Sequence, residues 1–183
     1  FYAHLVETWY RICREEMDRV APKKLFLGSR LHKHNDATIA AVAKHCDVIS
    51  YNLYRSSLAG FGFGGVDKPI LASEFSFGAL DRGMFWTGLG PAADQQDRAA
   101  LLQQYLRTAL ENPNLVGAHW FCYNSQPVTG RKDGENGQIG LVDICDTPYA
   151  ETVEALREVN AQLYKTRAGK TMFAEQSKSS VPQ

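Results

Sequence analysis

The sequence predicts an α/β fold assembled from parallel βα units. Three observations predict it. Helical and strand-like hydrophobic periods alternate along the chain, strand patterns recur at roughly 22–45 residues, and polar side chains gather where those strand patterns end. Apolar positions Leu5, Val6, Trp9, Ile12, Cys13, Met17 and Val20 recur at helical spacing, and Pro22 stops the run. Lys24-Leu25-Phe26-Leu27-Gly28 then reads as a short buried strand. Asn35-Asp36 is placed to cap a helix through about Lys44, followed by a strand pattern at Asp47-Val48-Ile49-Ser50-Tyr51. A connection rich in glycine (Gly60, Gly62, Gly64, Gly65) leads into the strand Pro69 to Glu74. After a long loop, a helix from about Asp94 to Glu111 carries Leu101, Leu102, Tyr105, Leu106, Ala109 and Leu110 as its buried stripe, and Asn112-Pro113 ends it. Leu115 to Phe121 is the fourth strand pattern and Tyr149 to Lys165 the last helix.

The polar strand ends are Ser29-Arg30, Tyr51-Asn52, Glu74, and His119-Trp120 with Tyr123. In a (β/α)8 barrel such ends form the active-site face. The rival architecture, a small doubly wound sheet binding a nucleotide, lacks a G-x-G-x-x-G motif after a strand, and Gly60 to Gly65 precedes a strand rather than a helix. The barrel is favoured. Four strands cannot close one, since closure takes about eight. The remaining units are therefore expected from a preceding segment, and the chain is expected to begin mid-fold. Residues 1–168 are assigned to the barrel and 169–183 to a polar tail.

Composition narrows the function. Lys plus Arg and Asp plus Glu are each 20, giving a formal net charge of zero, so nothing attracts a polyanion over distance and nucleic acid is excluded as a partner. No apolar run is long enough for a membrane span, and no signal-peptide pattern opens the chain. Cys13, Cys46, Cys122 and Cys145 show neither C-x-x-C pairing nor zinc spacing, and the acidic stretch after the fourth strand matches no EF-hand. No metal and no cofactor are expected.

Glu74 follows the apolar strand Ile70-Leu71-Ala72 and precedes a long loop, a position from which a carboxylate is presented rigidly at a barrel mouth. Retaining glycosidases use one such carboxylate to attack the anomeric carbon and a second, about 5–5.5 Å away, as acid/base. A strand-end glutamate in an ion pair is the competing reading. Around it, Trp120 is read as a sugar-stacking floor or as core. His119, Tyr51 and Asn52 are read as donors to sugar hydroxyls or to Glu74, or as ordinary structural residues. The loop Gly130 to Gly137, with Asp133, Glu135 and Asn136, is read either as a solvated turn or as a subsite loop that binds hydroxyls.

An ordered string of motifs then resembles glycoside hydrolase family 50, the β-agarases. The string is Ser73-Glu74-Phe75-Ser76-Phe77-Gly78 with Asp81-Arg82-Gly83-Met84-Phe85, Asn112-Pro113, Val116-Gly117-Ala118-His119-Trp120-Phe121, Gly130-Arg131 with Asp133-Gly134-Glu135-Asn136, and Asp146-Thr147-Pro148-Tyr149. The resemblance covers residues 1 to about 165. It implies the C-terminal half of a (β/α)8 barrel, strands five to eight with their helices. It also implies a retaining enzyme cleaving β-1,4-galactosidic links of agar-type poly- or oligosaccharide. Glu74 resembles the family's nucleophile on strand seven, Trp120 the strand-eight tryptophan under the reacting sugar, and Asn52 a substrate-binding position on strand six. Because agar is too large to enter a cell, the resemblance implies a secreted or periplasmic protein. Two departures stand out. Ser76 replaces a histidine usual in the family, and the family's acid/base, a glutamate commonly preceded by Asn, has no counterpart because this chain contains no Asn-Glu pair. The chain alone is therefore expected to be inactive, and the alternative readings are a β-galactosidase-like hydrolase of the same clan and a non-catalytic carbohydrate-binding half-barrel.

Overall fold

The computed structural model describes residues 1–169, so the expected polar tail lies, apart from Gly169, outside the described residues. The elements are α1 (Tyr2–Val20), α2 (Asp36–His45), β1 (Ile49–Asn52), β2 (Ile70–Phe75), α3 (Gln95–Glu111), β3 (Leu115–Trp120) and α4 (Ala150–Arg167). The three strands make one parallel sheet in the order β1-β2-β3. The α/β class and the parallel pairing expected from the alternating periods both form. Helix starts follow the sequence closely. Asn35 accepts the Thr38 N–H at 3.0 Å, and Asp94 accepts the Asp97 N–H at 2.9 Å. Each side chain satisfies an amide that the first helical turn leaves unpaired.

The strand expected over 24–28 does not form. Gly28 sits at φ 64°, which breaks the extended run, and a Cβ there would lie 2.6 Å from Cys46 Sγ. Glycine is thus required both for its backbone conformation and for its lack of bulk. Only Leu31 pairs with the sheet, through a parallel bridge to Tyr51, its N–H donating to Ser50 O at 3.0 Å and its carbonyl accepting from Asn52 N at 2.7 Å. Upstream, Asp47 substitutes for a ladder. Its N–H donates to Phe26 O at 2.9 Å, and its Oδ2 accepts from Phe26 N and from Arg14 Nη1, each at 2.7 Å. One carboxylate therefore ties α1, the irregular segment and the entrance to β1.

A continuous core joins Ile49, Ile70, Ala72 and Phe75 of the strands to Val42 of α2, Leu102 and Tyr105 of α3, and Ala155 of α4. Phe75 and Tyr105 stack with centroids 3.9 Å apart and planes 11° from parallel. The apolar stripe of α1 is covered on one side only. Tyr10 is buried against the core, while Leu5, Trp9, Ile12 and Val20 are each at least half exposed.

The strand ends run into two long loops, 76–94 after β2 and 121–149 after β3, and a buried arginine fastens one to the other. Arg98, on the first turn of α3, has no exposed surface. Its Nε donates to Phe77 O at 2.7 Å, Nη1 to Gln95 Oε1 at 3.2 Å and Nη2 to Gly140 O at 2.5 Å. Its guanidinium lies 4.8 Å from the ring centre of Tyr149 and 5.4 Å from that of Trp120. Burial pushes its pKa down to about 10, so it stays cationic at neutral pH.

Two predictions follow from these contacts. Asp47 is held below the usual carboxylate range, first by the Phe26 N–H and then by Arg14. A depressed folded pKa stabilises above the unfolded value of about 4 and is lost as pH falls through the folded value. Asp47→Asn is therefore expected to lower the urea midpoint at neutral pH, with the gap to wild type closing below about pH 4. A gap independent of pH would count against the ion-pair account. Arg98→Met strips three acceptors of their donor, which outweighs the relieved desolvation of one cation. It should lower unfolding free energy by about 2–4 kcal/mol, read by chemical denaturation.

Candidate functional site

The sheet register brings the chemistry to one edge. Asn52 pairs with Glu74 and Phe75 with Trp120. Beyond the strands, Leu53 N donates to Glu74 O at 2.9 Å and Phe121 N to Phe75 O at 2.8 Å. The backbone of Glu74 and of the adjoining Phe75 is thereby fixed from the chain on either side. Its side chain, 13% exposed, faces a cavity of about 250 Å³. Oε1 accepts from the Tyr54 hydroxyl at 2.6 Å, and Oε2 forms an ion pair with Arg30. Burial, and then the bond to Glu74, push the Tyr54 phenol well above its ordinary pKa, so it acts there as a fixed donor.

The same cavity is lined by a second carboxylate. Glu135 Oε2 pairs with Arg131 Nη2 at 2.8 Å and accepts from Gln126 Nε2 at 2.7 Å. Arg131 also pairs with Asp133 at 2.6 Å and lies 5.7 Å from the ring centre of Phe121. Trp86 and Phe121 contribute aromatic surface, Ile139 and Leu89 contribute apolar surface, and Ser76 contributes a buried hydroxyl that has no hydrogen-bond partner of normal geometry. Two held carboxylates, hydroxyl and guanidinium donors and two aromatic rings around one small cavity suit a sugar ring, whose C–H faces stack while its hydroxyls pair. Among the described residues no three His, Cys, Asp or Glu side chains are grouped to hold a metal ion. No helix among them is long and apolar enough to cross a membrane.

Of the residues singled out in the sequence, Glu74, Glu135 and the strand-end Arg30 line this cavity. Asn52 stands beside it, its Oδ1 accepting from Ser73 Oγ at 3.1 Å. Others go elsewhere. Tyr51 does not reach Glu74. Its hydroxyl donates to His32 O at 2.7 Å and meets His34 Nδ1 at 2.8 Å, and its ring packs among His34, Phe61 and Phe63. Trp120 does not floor the cavity. Its indole N–H donates to Ile139 O at 2.8 Å, its ring meets Phe75 edge-on, and it lines a separate apolar groove with Leu106, Leu156 and Leu163. Register shifts between Tyr51 and Asn52 and between Ala72 and Phe75 alter which face each side chain takes, which is the physical reason for both corrections. His119 and Tyr123 are exposed and outside the cavity lining, and Asp133 is exposed in its pair with Arg131. Asn136 is half-buried, with a long 3.5 Å contact to Val128 O.

The sequence reading missed Tyr54, Trp86 and the cavity-facing role of Phe121. The signal for Tyr54 is its place two residues beyond Asn52, where extended backbone returns a side chain to the same face. Trp86 carries a weaker signal, a large aromatic in a loop otherwise rich in glycine and polar residues.

Comparison with known proteins bears on this geometry. No family model matches the chain. The chain is 40% identical over 177 residues to β-agarase B of Vibrio sp. (strain JT0107), an alignment that covers 91% of this chain and 18% of that protein. The chain therefore spans about a fifth of the length of that curated relative. Among solved structures, an exo-β-agarase superposes with a TM-score of 0.87 at 38% identity, covering 91% of this chain and 23% of that one. The agarase AgWH50C superposes at 0.85 and 38%, covering 90% and 24%. A β-D-glucuronidase of Dictyoglomus thermophilum, at 18% identity and a TM-score of 0.58 over 84% of this chain and 29% of that one, shares the fold alone. By sequence and by structure alike, the chain is a relative of the β-agarases of glycoside hydrolase family 50.

Proposed function

We propose that this chain is the C-terminal half of the catalytic (β/α)8 barrel of a retaining, agarase-like glycoside hydrolase. It would cleave β-1,4-galactosidic bonds of agar-type poly- or oligosaccharide outside the cytoplasm. On this reading the irregular run ending at Leu31 corresponds to strand five, and β1, β2 and β3 correspond to strands six, seven and eight. The bare stripe of α1 and the apolar groove beside β3 are then the surfaces against which the preceding half of the barrel packs.

The observation that carries the proposal is Glu74, held at a strand end with a donor on each carboxylate oxygen and opening onto a cavity with aromatic walls. In the retaining reaction a Glu74 oxygen attacks the anomeric carbon as the glycosidic C–O bond breaks, and an acid from the preceding half protonates the leaving oxygen. Water, deprotonated by that same group, then displaces the carboxylate and releases the sugar with its anomeric configuration retained. Tyr54 keeps the nucleophile oriented through its bond to Oε1. Glu135, fixed by Gln126 and Arg131, accepts hydrogen bonds from ring hydroxyls, and Asn52 and Ser76 lie where further hydroxyls would be met.

A fluorinated galactoside that traps the glycosyl-enzyme, applied to a protein containing the whole barrel, should label Glu74. Label on another carboxylate would remove Glu74 from this role. Glu74→Gln in that protein should lower kcat by at least about a thousandfold, with binding of agarose oligosaccharide retained. The 183-residue chain by itself should show no turnover of such an oligosaccharide.

A further inference from the structure

We propose that Trp86, and not Trp120, is the tryptophan whose ring carries the sugar beside Glu74. The proposal rests on reading this cavity as a galactan site and adds the residue that supplies its stacking face. The chain has three tryptophans. Trp9 stands on α1, 62% exposed and outside the cavity lining. Trp120 is already committed inside the protein, with its N–H on Ile139 O, its ring against the Arg98 guanidinium and its edge contact with Phe75.

Trp86 differs on each count. It is half-buried and lines the same cavity as Glu74, Tyr54 and Phe121. Its backbone is clamped to the loop on the far wall by a parallel bridge to Gly137 and by Gln138 N donating to Trp86 O at 2.8 Å. The ring packs on the space that a side chain at 137 would fill, since a Cβ there would lie 3.2 Å from Trp86 Cε3. A ring braced in this way loses little conformational freedom when a ligand stacks on it. Among the described residues its indole N–H has no protein partner, so a donor is presented together with the face. A pyranose offers C–H bonds to the electron-rich face and hydroxyls to the N–H, which is the pairing an indole provides. Phe121, with Arg131 near its ring, adds a second aromatic surface to the same cavity.

The test is a fluorescence and calorimetric titration, with a tetrasaccharide cut from agarose, of a protein containing the whole barrel and carrying Glu74→Gln to prevent turnover, alone and with Trp86→Phe or Trp120→Phe added. The Glu74→Gln protein and its Trp120→Phe variant should both show a saturable change in indole emission with similar affinity. Trp86→Phe should lose that change and bind about tenfold more weakly. Gly137→Ala keeps every tryptophan, and its Cβ would crowd Gln126 Oε1 at 3.1 Å as well as Trp86 Cε3 at 3.2 Å. It should therefore weaken binding and diminish the indole emission change, the second effect marking displacement of the Trp86 ring, and it serves as the arm to read if Trp86→Phe fails to fold. Emission change and affinity that survive both Trp86→Phe and Gly137→Ala would overturn the assignment while leaving the galactan reading in place. A Glu74→Gln protein that gives no saturable binding by either readout would overturn the galactan reading itself, and the assignment with it.

Discussion

The guanidinium of Arg98 is a fully buried charge with no carboxylate paired to it among the described residues, and the walls of the cavity depend on its staying there. Taking a cation out of water is costly, and here the compensation comes from Phe77 O, Gln95 Oε1 and Gly140 O together with the faces of Trp120 and Tyr149. Its donors point in fixed directions, so the carbonyls that meet them are fixed as well. Phe77 lies three residues beyond Glu74, and Gly140 lies next to Ile139, which walls the cavity. The spacing between the two loops is therefore set from beneath by one side chain on α3.

That arrangement is extended by close packing of backbone on backbone. A Cβ on Gly78 would lie 2.3 Å from Thr87 O and 2.5 Å from Gln138 O, so only glycine lets the loop after β2 fold onto itself and onto the loop after β3. Gln95 extends the polar network, its Nε2 donating to Asp81 Oδ1 at 2.7 Å and to Gln138 Oε1 at 2.6 Å. One donor of this network, Gln138 Nε2, is buried without a partner among the described residues, while the bonds that do form still fix the two loops. The site is thus carried by loops with the rigidity of a core.

The helices, the parallel pairing and the place of Glu74 were legible in the sequence because each rests on local chemistry. The caps at Asn35 and Asp94, the breaker at Pro113 and the apolar stripe of α3 all act within a few residues of themselves. The segment 24–28 was misread because its composition is that of a strand while its pairing is decided by Asp47 and Gly28, through contacts distant in sequence. Trp120 stayed open between sugar floor and core for a related reason. The side-chain period of a strand is two, and irregular register next to Ala72 and Phe75 breaks the parity that would place it. Trp86 had no periodicity to reveal it, since its position is set by a single bridge to Gly137 from the other loop.

The pairing of Glu74 with Arg30 has a consequence for the order of events at the carboxylate. Arg30 reaches in from the irregular segment and is itself 54% exposed, so solvent screens part of its charge. The anomeric carbon gains positive character as the glycosidic bond stretches. In the reaction proposed, the sugar develops the same sign of charge that Arg30 already carries beside this carboxylate. Glu74 thus faces Arg30 first and the charged carbon second, with the Tyr54 hydroxyl holding its other oxygen throughout.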